Sequence, residues 1–145
     1  MNAGAEVCKV PKPLIPQAWA RAQDMIDKGR GVAPTLLSDD VLDRLHAGEL
    51  QLWFVLERGA LLAVFFTDIN SEPDGHRWLC VQGLGGRQMW RWAGRMHDEM
   101  IAFAKHHGCA AVRFSGRRGY ERLFRDVRAI GQTDQGEPIY ERVLQ

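Results

Sequence analysis

Apolar and polar positions along this chain change period twice. From Trp19 to Asp27 (WARAQDMID), apolar Trp19, Ala22, Met25 and Ile26 recur at three- and four-residue spacing, which predicts a helix stopped by Gly29. A second helix is predicted over SDDVLDRLHAG. Ser38 or Asp39 caps it, Val41, Leu42 and Leu45 form its stripe, and Gly48 ends it. The period then shortens. QLWFVLE and ALLAVFFTDI are strand-length apolar runs joined by Arg58-Gly59, a tight hairpin in which glycine can take positive φ. SEPDGH has the composition of a turn, and RWLCVQGL is a third strand. Such nearly continuous apolar runs predict a sheet covered on both faces. Ahead of all this, Val7 to Val10 is a short strand leading into the extended stretch VPKPLIP.

Helical spacing returns from Arg87 to His107. Trp90, Ala93, His97, Met100, Ile101 and Ala104 form the expected buried stripe, and Arg87, Arg91 and Arg95 a basic one. Trp90 and Trp92 point to different sides of this helix, so one of them is expected at a groove or a partner. Gly108 ends the helix. CAAVRFS is a strand, GRRG a loop, YERLFRDV a short helix, and RAIGQT and PIYERVL a hairpin across Asp134–Glu137. The order is β-α-α-β-β-β-α-β-α-β-β. The helix between RWLCVQGL and CAAVRFS makes those strands parallel, with a right-handed crossover. The expected fold is α/β: one domain over residues 1–145, a mixed central sheet with helices on both faces.

Composition narrows the picture. A chain of 145 residues with 46% hydrophobic content builds one real core. Net charge is +1, which argues against nucleic acid, but the charge is uneven: residues 87–128 carry ten Lys/Arg against four Asp/Glu. The three cysteines are widely spaced and suggest neither a zinc site nor a disulfide framework. MNAGAEVCKVPKP has no apolar secretory region, and no apolar run approaches the ~20 residues that span a bilayer, so a cytoplasmic protein without a membrane partner is expected.

The junction QGLGGR (Gln82–Arg87), where a strand breaks on glycines and opens directly into the long helix, resembles the GNAT superfamily of N-acetyltransferases, as does the element order. The resemblance implies that the loop amides and helix N-terminus hold the pyrophosphate of acetyl-CoA, through free N–H groups and the helix dipole. Gln82 and Gly85 fit the family pattern. Arg87 stands where its last small residue would be, and the loop is short. The implied carrier-binding set is Leu79, Val81, Gln82, Gly83, Gly85, Gly86 and Arg87, the Leu79–Val81 backbone pairing with the pantetheine arm like an added strand. Arg117, in a loop bracketed by Gly116 and Gly119, joins the set as a contact to the 3′-phosphate. No metal is implied.

Many family members reprotonate the CoA thiolate with a tyrosine on the fourth helix. Phe124 aligns there and has no proton to give; Tyr120, about one turn earlier, is the substitute. For the base that deprotonates the amine, Asp68 and Glu72 end one meander strand and Glu57 another. His97 reads as a satisfied core histidine. His106 and His107, adjacent on a helix, point about 100° apart and do not chelate. The wider stretch from Ala104 to Phe124, with its Gly-Cys and Gly-Arg-Arg-Gly-Tyr-Glu-Arg spacing, is similar to GNAT-like proteins of tailed bacteriophages and prophages. Two functions are expected from these resemblances. One is acetyl transfer from acetyl-CoA to a small-molecule or peptide amine. The other is an inactive GNAT-fold virion or assembly component acting through protein contacts.

Overall fold

The computed structural model describes residues 4–27, 38–86, 88–116, 120–122, 124 and 126–144. Among these, seven strands form one sheet: β1 (Ala5–Lys9), β2 (Gln51–Glu57), β3 (Ala60–Ser71), β4 (Arg77–Gly86), β5 (Ala111–Ser115), β6 (Arg128–Gln132) and β7 (Pro138–Val143). Three described α-helices join them: α1 (Ile15–Asp27), α2 (Asp39–His46) and α3 (Met89–His106). The strand order is β1-β2-β3-β4-β5-β7-β6. Among the described strands only β4 and β5 run parallel, with α3 as their crossover. This is the mixed sheet the element order predicts.

The local chemistry explains most boundaries. A 3-10 turn (Lys12–Leu14) precedes α1, which therefore starts four residues before Trp19 and carries Pro16 in its first turn, where a missing N–H costs nothing. The Ser38 hydroxyl accepts from Val41 N–H at 3.3 Å and caps α2. At the β2–β3 hairpin both central residues take positive φ, Arg58 at 52° and Gly59 at 80°, the twist that matches two antiparallel strands. Gly29 lies outside the described residues. Where a fourth helix is expected over YERLFRDV, the described residues hold one 3-10 turn, Tyr120–Arg122.

Each face of the sheet has its own core. On one side α3 lays Trp92, Ala93, Met96, Met100 and Ala104 against Trp53, Val55, Ala63, Phe65, Leu79, Val81, Val112 and Phe114. On the other, α1 and α2 cover Leu52, Phe54, Leu61, Val64 and Phe66. This explains why β2 and β3 lack alternation: both of their faces are buried. The indole N–H of Trp53 donates to the Thr67 hydroxyl at 2.9 Å, which donates to Gln51 Oε1 at 2.8 Å, so these polar groups of the core are paired.

The stripe of α3 differs from its expected composition. Trp92 and Met96 are buried, while Trp90 is 75% exposed and Ile101 half-buried. Ala93, His97, Met100 and Ala104 of the expected stripe are buried, and Trp92 and Met96 widen the buried face on one side. Replacing Trp92 with alanine is expected to cost about 3–5 kcal/mol in chemical denaturation. Trp90→Ala should stay within about 0.5 kcal/mol.

Candidate functional site

The site is built where β4 leaves β5. Their parallel register runs from Trp78↔Ala111 to Val81↔Phe114 and stops, while β4 continues to Gly86 beside β3. Along β3, Val64 faces Gly85 and Phe66 faces Gln82, so β4 carries one residue more than β3 across this interval. Such a bulge bends its strand and sharpens its twist. Beyond Val81 the β5-facing edge of β4 has no strand partner among the described residues. The expected pairing of a pantetheine arm with Leu79–Val81 is corrected here, because those residues lie within the β5 ladder and the side chains of Leu79 and Val81 are buried. The open edge is Gln82–Gly86, containing Gly83, Gly85 and Gly86.

This edge feeds α3 after two residues. Gln88, its N-cap, has left-handed φ 56° and ψ 44° and no side-chain cap bond, and no acidic residue lies in the first turn. The N-terminal amides and the positive end of the dipole are thus uncancelled by any acidic side chain of that turn. Arg91 is turned away to Glu57 Oε2 at 2.6 Å and Gln88 Oε1 at 2.8 Å. Arg87 and Arg117 lie outside the described residues, as does the side chain of Tyr120.

The Gln82 side chain reaches across to β3. Its amide donates to Asp68 Oδ1 at 3.0 Å. Asp68 also accepts from Asn70 at 3.3 Å and pairs with Arg44 of α2 at 3.6 Å. It lies opposite Cys80, on the α1–α2 face. Glu72 is in the β3–β4 turn, where its N–H donates to the His76 carbonyl. It is separated from the start of α3 by the full ten residues of β4, about 30 Å of strand, and takes no part in the site. The Cys80 thiol is pushed up to about 11 by burial and by Asp68, which leaves it unreactive at neutral pH.

Sequence reasoning missed two groups. Glu141 is buried and accepts from Arg113 at 2.8 Å and Arg128 at 3.4 Å; Arg113 in turn lies 4.6 Å over the Trp78 ring. Burial raises its carboxyl, but the two guanidinium groups outweigh that and leave it below the usual range. The second group is His97. It lines a cavity of about 10 Å³ at the end of the β4–β5 ladder, with Val81, Met96, Met100, Val112, Phe114 and Phe124. Its Nε2 is buried with no hydrogen-bond partner among the described residues. The expectation of a satisfied core histidine is therefore corrected. Phe124 fills the floor of the opening, its ring 4.8 Å from Phe114 and 5.2 Å from His97. An unpartnered core nitrogen leaves no mark in a helical stripe.

No protein-family model matches the chain, and no curated protein matches it. Its likeness is to solved structures. An acetyltransferase of the GNAT family from Streptococcus agalactiae superposes with TM-score 0.55 at 15% identity over 97% of this chain and 96% of that one. Naa50 from Arabidopsis thaliana, in complex with the bisubstrate analogue CoA-Ac-MVNAL, gives 0.65 at 7% over 97% and 99%. A predicted acetyltransferase from Clostridium acetobutylicum, with acetyl-CoA, gives 0.56 at 16% over 82% and 85%. At these identities the likeness is one of fold: the chain has the GNAT fold.

Burial, then the Arg142 charge, lowers the His97 pKa below 6.5, with Asp98 and Asp126 opposing. The folded chain therefore gives up this proton before the unfolded chain does. The resulting stability is complete above pH 6.5 and is lost as pH falls from there through the folded value. Denaturant midpoints should accordingly drop as pH falls below 6.5. The drop should be shallower in His97→Gln.

Proposed function

We propose that this chain is an acyl-CoA-dependent N-acyltransferase that passes an acetyl group from acetyl-CoA to an amine by direct attack. The single observation that carries the reading is the open edge of β4 at Gln82–Gly86 running into the uncapped N-terminus of α3. An extended amide-bearing arm finds backbone donors and acceptors along such an edge, and a pyrophosphate finds amides and the dipole at its end. Glycine at 83, 85 and 86 allows close approach. Arg87 would add a charge-assisted contact, and Arg117 a contact to the 3′-phosphate. The GNAT-fold structures solved with acetyl-CoA and with a CoA conjugate support the choice of carrier.

In this reading the chain supplies position more than reactive groups. Holding the thioester at the parting of β4 and β5 turns the amine's attack into an effectively unimolecular step. The C–N bond forms, the C–S bond breaks, and the nitrogen's proton leaves to Asp68 or through it to water. Asp68 is the carboxylate on the α1–α2 face beside the ladder's end, already oriented by Gln82, Asn70 and Arg44.

A second reading has its own observation. Phe124, buried at 3%, fills the floor where an acid would stand, and Trp90 is three-quarters exposed at the front of α3. An inactive GNAT-fold assembly component, of the kind carried by phage virions, would use the tryptophan against a protein partner.

Calorimetric titration of acetyl-CoA separates the two. Transferase function predicts micromolar binding, about −8 kcal/mol, weakened at least about tenfold in a folded Gly85→Glu variant, which sets a carboxylate against the phosphates. The absence of both heat and thermal stabilisation at millimolar acetyl-CoA would eliminate acetyl transfer.

A further inference from the structure

Among the side chains that line the cavity at the end of the β4–β5 ladder, one titrates. Val81, Met96, Met100, Val112, Phe114 and Phe124 cannot exchange a proton, whereas His97 can. Its Nε2 is buried and lacks a partner among the described residues, and the residue as a whole is 6% exposed. Leaving such a nitrogen unpaired works against folding, and nothing in the packing of α3 demands it. Ala, Leu or Met would fill the same helical position without that cost. The cavity, about 10 Å³ and lined by apolar side chains apart from His97, also gives no second polar group to hold a water there.

Position adds a second argument. His97 lies eight residues along α3 from Met89, or about 12 Å down the axis. It stands beside Val81, the last residue of β4 paired to β5. An arm anchored by its phosphates at the start of α3 and laid along the edge of β4 from Gly86 back toward Val81 ends at this depth. Two of the walls are methionines, unbranched and adaptable enough to admit a sulfur. His97 faces Arg142 of β7, Asp126 of the segment before β6, and Asp98 of its own helix.

We propose that His97 is the proton donor to the sulfur of the acyl carrier, a role that rests on the acyltransferase reading above. As the tetrahedral adduct collapses, the C–S bond breaks and its electron pair goes to sulfur. The imidazolium Nε2–H gives its proton to that sulfur, leaving neutral His97 and free thiol. The nitrogen's proton departs on the opposite face toward Asp68 or water, and His97 is recharged from solvent. Burial makes the His97 imidazolium a stronger acid than a free one, so the ring is mostly neutral above pH 6.5 and the protonated fraction carries the step.

The test compares CoA with desulfo-CoA, which lacks only the thiol. In wild-type protein, NMR of the His97 ring nitrogens should shift with CoA and much less with desulfo-CoA. The ultraviolet thiolate signal of bound CoA should appear at lower pH than that of free CoA. Calorimetry should show CoA binding several-fold tighter than desulfo-CoA, with the difference abolished in His97→Gln and His97→Leu and desulfo-CoA affinity unchanged. Equal His97 shifts with both ligands, together with an unperturbed thiol, would overturn the proposal while leaving the transferase reading intact. Failure of either ligand to bind wild-type protein would overturn both. The wild-type measurements stand even if neither variant folds.

Discussion

The end of one hydrogen-bond ladder organises this molecule. While β4 is paired on both sides, its residues belong to the core: Leu79 and Val81 are buried between β3, β5 and α3. Past Val81 the β5 side of the strand has no described partner, and the bulge opposite Val64–Phe66 turns it away. An unpaired edge inside a sheet is a liability that folds normally cover or avoid. Here it leads straight into the N-terminus of the longest described helix, so unused strand donors and unused helix donors meet in one place. That meeting of strand edge and helix N-terminus depends on the backbone and not on any side chain.

Side-chain charges hold this arrangement open without occupying it. Arg91 is tied to Glu57, Asp68 to Gln82 and Arg44, and Glu141 to Arg113 and Arg128. Each pair joins separate elements: α3 to β2, α2 to β3, and β5 and β6 to β7. Glu141 is the most buried of these carboxylates, and removing one partner from such a group costs several kcal/mol because a charge is stranded. Their chief effect is to fix the sheet on both sides of the parting. Asp68, hydrogen-bonded to Gln82, ties β4 to β3, and Glu141, ion-paired with Arg113, ties β5 to β7.

The sequence made the scaffold legible and left the site largely hidden. Strand runs, the Arg58-Gly59 hairpin, the Ser38 cap and the β-α-β crossover are local signals, set by residues within a few positions of each other, and the structure reproduces them. Contacts across the sheet carry no such signal. Gln82 could equally have faced a ligand, and only the register Phe66↔Gln82, two residues from Asp68, shows where its amide goes. Glu72 looked like Asp68 in sequence, yet lies at the other end of β4. The α3 stripe was misread at its first turn because Trp90 and Trp92, on two sides of the helix, both stand three or four residues before another apolar side chain, Ala93 and Met96 respectively. The predicted fourth helix met a similar limit: YERLFRDV has helical spacing, but Phe124 gains more by packing on Phe114 in the core than by continuing a helix.

Phe124 and His97 together show how one packing choice shapes the chemistry left available. A tyrosine at 124 would need its hydroxyl paired or pointed into the opening; phenylalanine needs neither and can pack against both Phe114 and His97. With Phe124 there, the imidazole is buried and its Nε2 has no hydrogen-bond partner among the described residues. The same aromatic contact that stabilises the core thus produces an isolated titratable nitrogen at the end of the ladder. A fold that merely tolerated His97 would gain by replacing it with an apolar residue of similar volume. Its presence in an otherwise apolar wall is most simply explained by a ligand atom that pairs with it when the site is filled.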